Sequence, residues 1–313
     1  MSLDDKAAKQ LLTDQRGLLS RAQALSLGVS RGALQYRTAP GGTWQRVLPG
    51  VYLTVAGRPT REQLEMAALL YGGPVSAITG PAALRSYQLP APNTSVIDVL
   101  VPQRRQRSDR SFVALHRTRR MPRAVLMSGA IIYVKPARAI ADTARDLARL
   151  SDVRALVADA IQRHQCTIAE LKVELAEGSV RDSARLRSVV AEVAAGIRSA
   201  PEGDLRDLIV RSGLPMPMFN PSLFLDGKFL AKPDAWWPQS SVAAEVDSRQ
   251  WHEPVDRWEA TMARDAVLGA AGIVALHFSP RQLRTEPQQV VQRIAGALRN
   301  GREIPGIVAR AAA

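Results

Sequence analysis

The chain has 313 residues, more than a single hydrophobic core usually organises, so two or three domains are expected. Hydrophobic residues make up 46% and charged residues 23%. No apolar run approaches the ~20 residues of a membrane span, the N-terminal MSLDDKAAKQ lacks the apolar stretch of a signal peptide, and the single Cys166 excludes an internal disulfide framework or a Cys-rich zinc site. A cytoplasmic protein with no membrane partner is expected. The net charge of +13 is unevenly spread: residues 199–313 hold 13 basic and 13 acidic side chains, whereas residues 1–198 hold 29 and 16. All the excess that would draw a polyanion, most often nucleic acid, lies in the first two thirds. A solvated basic surface is the blander reading.

Residues 7–57 predict three helices and a hairpin. AAKQLLTDQRG is a short amphipathic helix. SRAQALSLG follows, with Ser20 and Gln23 spaced as a capping box and Gly28 as its stop. In VSRGALQYRTAPGG, Ser30 is the expected N-cap, Leu34 faces the core and Gly41-Gly42 ends the helix. TWQRVLPGVYLTV gives two short strands around Pro49-Gly50. Helix, helix, helix, hairpin is the order of a winged helix-turn-helix, although other small helical subdomains share the pattern. The third helix is then the reader, offering Ser30, Arg31, Gln35, Tyr36 and Arg37 to double-stranded DNA, with Arg46 on the wing. Residues 1–60 carry eight basic side chains against three acids, which favours that reading.

Residues 59–198 predict a middle α+β domain. TREQLEMAALLYG and GPAALRSYQL are helical; SVIDVLVP, FVALHRTRR and GAIIYVKP are strands; three helical stretches follow between Ala137 and Val193. Residues 104–123 hold eight arginines and one aspartate. Arg104, Arg105 and Arg107 are candidate phosphate contacts, because guanidinium forks suit phosphate. A solvated basic loop beside an edge strand explains the run equally well. His116 and His164 have no carboxylate or second histidine near them in sequence and are expected to be structural.

Residues 199–313 predict α-β-β-β-α-β-α, a mixed sheet with helical cover. The segments are SAPEGDLRDLIVRSGL, the Pro-dotted GLPMPMFNPSLF, KFLAKPDAWW, SVAAEVDS, DRWEATMARDAVLGAAG, IVALHF and PQQVVQRIAGALR. Trp236 and Trp237 are expected to pack the core. His277 is expected to be a satisfied core histidine, and Arg264 and Asp265 an internal pair unless Arg264 reaches a phosphate.

In SVAAEVDS the period of two places Val242, Ala244 and Val246 on one face, and Glu245 and Asp247 on the other. If the preceding strand pairs as a hairpin, Asp234 comes beside Glu245. Converging carboxylates make a hard-oxygen site suited to Mg²⁺ or Mn²⁺, and such an ion activates water toward a phosphodiester. His252 is placed to orient that water or shuttle a proton. Asp234, Glu245, Asp247 and His252 are therefore the candidate catalytic residues.

Pro233-Asp234, ten residues, then Glu245-Val246-Asp247 resembles the Pro-Asp…(Asp/Glu)-x-Lys signature of restriction-endonuclease-like folds. Asp234, Glu245, Asp247, His252, Arg264, Asp265, Leu268, Gly272 and Phe278 resemble an actinobacterial domain family related to very-short-patch-repair endonucleases, in a match that covers about 100 residues. The resemblance implies that Asp234 and Glu245 hold the metal, with Glu202 as a helical third ligand. Ser199-Ala-Pro-Glu202 is also spaced as a capping box, which explains Glu202 without metal. Two positions depart from the pattern: Asp247 stands where the family lysine would be, and Ser248 where a glycine would follow. A carboxylate cannot supply the lysine's positive charge.

GLLSRAQALSLGVSRGALQYR, WQRVLPGVYLT and VKPARAIADTA are similar to the AbiEi-type antitoxins of type IV toxin–antitoxin systems. That resemblance implies a winged-helix repressor and a nucleotidyltransferase-like toxin as partner. The expectation is an α/β multidomain chain: a winged helix-turn-helix at residues 1–58, an antitoxin-like α+β domain at 59–198 and a restriction-endonuclease-like mixed α/β sheet at 199–313. Its expected function is that of a DNA-binding transcriptional regulator carrying a nuclease fold. An active Mg²⁺-dependent DNA endonuclease and a toxin-neutralising interaction protein are the alternatives.

Overall fold

A computed structural model describes residues 6–122, 125–197, 199–246 and 255–310. The chain forms two compact units. One comprises residues 1–146 and 159–179, the other residues 147–158 and 180–313.

The first unit begins with α1 (Lys6–Asp14), β1 (Leu18–Ser20), α2 (Arg21–Ser26), α3 (Arg31–Arg37), β2 (Gln45–Leu48) and β3 (Val51–Leu53). The strands form an antiparallel sheet in the order β1-β3-β2. The end signals work as the sequence implies. Ser20 and Gln23 form a reciprocal capping box on α2, and the Ser30 hydroxyl accepts the Ala33 N–H at 3.1 Å. Gly28 (φ +84°) and Gly50 (φ +77°) take left-handed conformations after α2 and between β2 and β3. Leu19, Ala24, Val29, Leu34, Trp44 and Tyr52 make the small core. Strand β1, which the sequence pattern did not predict, ties the start of the segment to β3.

The same unit continues with α4 (Arg61–Gly72), β4 (Ala77–Thr79), α5 (Gly80–Ser86), β5 (Ile97–Pro102), β6 (Val113–Thr118), β7 (Val125–Ser128), β8 (Ile131–Val134) and α6 (Pro136–Asp146). Its mixed five-stranded sheet runs β6-β5-β4-β8-β7, with β5–β6 and β4–β8 parallel. Four helices, not three, follow β8: α6, α7 (Leu150–Gln162), α8 (Ile168–Glu177) and α9 (Ala184–Ala194). The division between the units falls within α7, and α9 belongs to the second unit.

The second unit goes on with α10 (Ala200–Ser212), β9 (Met218–Phe219), β10 (Ser222–Leu225), β11 (Lys228–Ala231), β12 (Ala235–Trp237), β13 (Val242–Val246), α11 (Val255–Ala270), β14 (Val274–Phe278), α12 (Pro280–Thr285), α13 (Pro287–Asn300) and β15 (Ile307–Arg310). A four-stranded sheet runs β14-β13-β12-β9, antiparallel except for the parallel β13–β14 pair. A separate antiparallel sheet runs β11-β10-β15. The segment expected as one strand, KFLAKPDAWW, is thus two strands in two sheets. Pro233 has no N–H to continue a ladder, and the chain changes sheet there.

Neighbouring side chains on β12 and β13 go to opposite faces of the four-stranded sheet. Trp237, Val242, Ala244 and Val246 join Leu205, Leu208 and Ile209 of α10 and Val290 and Ile294 of α13. Trp236 and Ala243 join Leu223, Ala231, Leu268 and Ile273 on the other side. With both faces covered, all five residues of β13 are buried, including Glu245. The indole N–H of Trp237 donates to the Pro215 carbonyl at 2.6 Å, meeting the polar requirement of a buried tryptophan.

Candidate functional site

The expected DNA-reading residues separate into two groups. Arg31 and Gln35, one helical turn apart on α3, are exposed, and Tyr36 is 82% exposed. So exposed a ring contributes little to packing. Arg46 is exposed on β2. Ser30, besides being a contact candidate, spends its hydroxyl on the α3 cap. Arg37 turns inward: its guanidinium lies 5.1 Å from the centre of the buried Trp44 ring, and the Trp44 backbone N–H donates to the Arg37 carbonyl at 2.9 Å. This cation–π stack closes the Thr38–Thr43 loop.

Much of the arginine-rich stretch is built into its own loop. Arg107 stacks 4.7 Å over the Tyr71 ring and donates to the Tyr71 carbonyl at 3.0 Å, and the Tyr71 hydroxyl donates to the Ser108 carbonyl. Arg117 donates to the carbonyls of Arg105 and Arg107, both at 2.9 Å. Arg120 pairs with Glu174 and Glu177 of α8, which hold its pKa up. Arg104, by contrast, is exposed. With Arg105, Gly72 and Gly73 it lines a cleft of about 420 Å³.

The acidic set is brought together by strand register. Ala235 pairs with Ala244, so Asp234 falls opposite Glu245 on the neighbouring strand, as the spacing predicts. Asp234 accepts the Val246 N–H at 2.7 Å, and its own carbonyl accepts the Asn220 N–H at 3.0 Å. Glu202, 7% exposed, accepts the Asn220 side-chain amide at 2.5 Å and the Ser199 hydroxyl at 2.8 Å; the Ser199 hydroxyl also accepts the Glu202 N–H. Ser199 therefore caps α10, but the Glu202 carboxylate bonds the Ser199 hydroxyl and Asn220. Asn220 links Glu202 to Asp234 through its amide and its backbone. No sequence motif singled it out; only its left-handed backbone (φ +51°) between β9 and β10 gives a cue.

Glu245, also 7% exposed, is not a solvent-facing acid. Arg264 of α11 donates to it. The expected Arg264–Asp265 pair is replaced by two pairs running to the strands. Arg264 bonds Glu245, and Asp265 lies 3.1 Å from His277 Nε2. Glu245 and His277 are themselves register partners across β13–β14. His277 is thus satisfied as expected, though it is half-buried rather than fully enclosed. Asp247 and His252 lie outside the described residues. Asp234, Glu245 and Glu202 present hard oxygens of the kind Mg²⁺ or Mn²⁺ takes, but each is bonded to protein groups. Among the described residues no three His, Cys, Asp or Glu side chains are placed to hold a metal ion.

One pair escaped sequence reasoning. His116 Nε2 lies 2.8 Å from Asp98 Oδ1, although 18 residues separate them. The parallel β5–β6 ladder aligns Asp98 with Ala114 and puts the two side chains on one face. The hydrogen bond to Asp98 raises the His116 pKa above its ordinary value, against the opposing pull of burial. Beside it, the Thr79 hydroxyl and Arg138 both donate to Asp142.

No helix among the described residues is long and apolar enough to cross a membrane. No family model matches the chain. The chain is 28% identical over 276 residues to two uncharacterized proteins of Mycobacterium tuberculosis, from strains CDC 1551 and H37Rv, and the match covers 88% of this chain and 99% of each relative.

Proposed function

We propose that the chain is a duplex-DNA-binding protein of the winged-helix kind, acting as a transcriptional regulator. One observation carries the reading. The segment α1-β1-α2-α3-β2-β3, with its sheet ordered β1-β3-β2, is the connectivity a winged helix needs, and Arg31, Gln35 and Tyr36 stand exposed on α3. The excess positive charge of residues 1–198 supports it. Arg37 is removed from the reading set, because Trp44 occupies it. Autoregulation of an operon shared with a nucleotidyltransferase-like toxin is the form implied by the antitoxin resemblance.

The test is duplex binding across a salt series by the full chain and by an Arg31→Ala/Gln35→Ala/Tyr36→Ala variant. The variant should bind at least tenfold more weakly. The loss of each phosphate contact should reduce the salt slope by ~0.9. Unchanged affinity and slope would remove α3 from the interface.

A second reading, a Mg²⁺- or Mn²⁺-dependent DNA endonuclease, is favoured by the placement of Asp234 opposite Glu245 in a sheet of connectivity α-β-β-β-α-β. It requires ligands beyond the described residues, or release of the carboxylates from their present partners. Cleavage of supercoiled DNA with Mn²⁺ that disappears in Asp234→Asn would establish it. Equal signals from the two proteins would rule it out.

A further inference from the structure

The β11-β10-β15 sheet has two very different faces. One is closed: Leu223 and Ala231 are buried with Trp236, Leu268 and Ile273. The other carries a row of apolar side chains, two of them largely exposed. Register places Phe229, Phe224 and Val308 side by side across the three strands. Phe229 is 61% exposed and Val308 55%. The two phenylalanine rings sit 5.8 Å apart at 74° to one another, and the guanidinium of Arg310 lies 4.7 Å over the Phe224 ring. Single exposed apolar residues are ordinary, but a contiguous row across a whole sheet is not.

We propose that this face is a stacking platform for the bases of unpaired nucleic acid. The row is aromatic and cationic together, which is the combination used where bases stack on side chains and the backbone is held by charge. Arg310, which shares a face with Val308, and the exposed Lys232 just beyond β11 outnumber the single acid of the hairpin, Asp226, whereas Lys228, next to Phe229 in the strand, points to the other face. That balance complements a phosphodiester chain. It disfavours a second copy of this protein, whose Arg310 and Lys232 would be brought against the same cations.

The size of the row fits too. Three strands at roughly 4.8 Å spacing make the row about 10 Å long, room for about two bases. Bases inside a duplex have both faces covered by their neighbours, so only unpaired bases can use such a surface. The platform leads directly to the acidic set, since β11 runs through Lys232 and Pro233 into Asp234. The proposal needs neither the duplex reading of α3 nor a metal at Asp234.

The experiment is fluorescence anisotropy with a labelled ten-nucleotide oligothymidylate and, separately, a labelled duplex, using the full-length chain at low salt. Phe229→Ala should weaken oligothymidylate binding on the order of ten- to hundredfold and leave duplex binding and melting temperature unchanged. Phe229→Trp should retain or strengthen oligothymidylate binding. Arg310→Ala should weaken it and flatten its salt dependence. An Arg31→Ala/Tyr36→Ala variant should keep oligothymidylate binding even as duplex binding is lost, which separates this proposal from the duplex reading. The proposal is overturned if the wild-type chain does not bind oligothymidylate, or if Phe229→Ala binds it as tightly as wild type. It is equally overturned if Phe229→Ala turns a sedimenting dimer into a monomer without changing oligothymidylate affinity, because the row would then be a self-association face.

Discussion

Arg154 is the most heavily engaged cation among the described residues, and its removal gives a stringent test of how the second unit is held together. The side chain is 4% exposed. It donates to both oxygens of the equally buried Glu192 at 2.7 and 2.9 Å, to Asp207 at 2.7 Å and to Asp204 at 3.3 Å, so that α7, α9 and α10 meet on one guanidinium. Burial alone would lower the Arg154 pKa, but the hydrogen bonds of Glu192 and Asp207 outweigh it and the net shift is upward. Gly203 gives the side chain its passage, because a Cβ there would lie 2.4 Å from Arg154 Nε. Arg154→Ala strands a buried Glu192 carboxylate beside two more acids. Breaking such a pair from one side costs about 3–5 kcal/mol. For a unit of roughly 150 residues this lowers the melting temperature by about 6–20 °C. Replacing both partners, Arg154→Met with Glu192→Leu, should recover much of the loss, because no buried charge is then left alone. Chemical denaturation of the full chain, followed by circular dichroism, measures both variants. A loss below about 1 kcal/mol in Arg154→Ala, with Gly203→Ala equally silent, would show that the guanidinium is solvated and would sink the argument.

Three further outcomes are expected. His116 should titrate above ~6.5 by NMR, and Asp98→Asn should return it toward the ordinary value, since the bond to Asp98 is the main cause of the shift. Because the folded value is raised, the stability His116 contributes is complete below ~6.5 and is lost as pH rises through the folded pKa. The midpoint difference between wild type and His116→Gln should therefore shrink between pH 6 and pH 9. Cys166 is buried, and burial pushes its thiol up to about 12. It should resist a thiol-exchange reagent at pH 8 until denaturant is added, and rapid labelling of the native chain would contradict its placement. Trp237→Phe keeps most of the packing but deprives the Pro215 carbonyl of its donor. It should cost roughly 1–3 kcal/mol in denaturant titration, and a neutral result would mean that water replaces the indole.

What the sequence made legible follows from the range of the signals. Ser20 with Gln23, Ser30 and Gly28 speak to groups a few residues away, so α2 and α3 could be placed by eye. Strands β1 and β4 could not. LLS and AIT are three-residue segments, each two apolar residues and a hydroxyl, too short to show alternation, and each is a strand only because another strand lies beside it. The pairing of Asp234 with Glu245 was readable because a hairpin converts spacing into register. The partners of Arg264 and His116 were not: Glu245 and Arg264 stand 19 positions apart on a strand and a helix, and Asp98 and His116 stand 18 apart on strands whose parallel ladder has no short turn to set its register. Arg37 looked like a reader by its place on α3. Its stacking on Trp44 depends on the path of the loop between them, which no local pattern specifies.

The path of the chain through α7 bears on synthesis and on dissection. The polypeptide leaves the first unit at residue 146, returns at 159 and departs again at 179, so residues 147–158 are a piece of the second unit held between two pieces of the first. On a ribosome the first unit lacks α8 until residue 179 has emerged, and all that time Arg154 waits for Glu192, Asp204 and Asp207, which have not yet been made. No single cut leaves both units whole. A fragment ending at residue 146 lacks Glu174 and Glu177, leaving Arg120 without its partners, and a fragment beginning at residue 180 lacks the arginine that three of its acids surround. Dividing this chain at either boundary therefore takes from one unit a piece that its buried charges depend on.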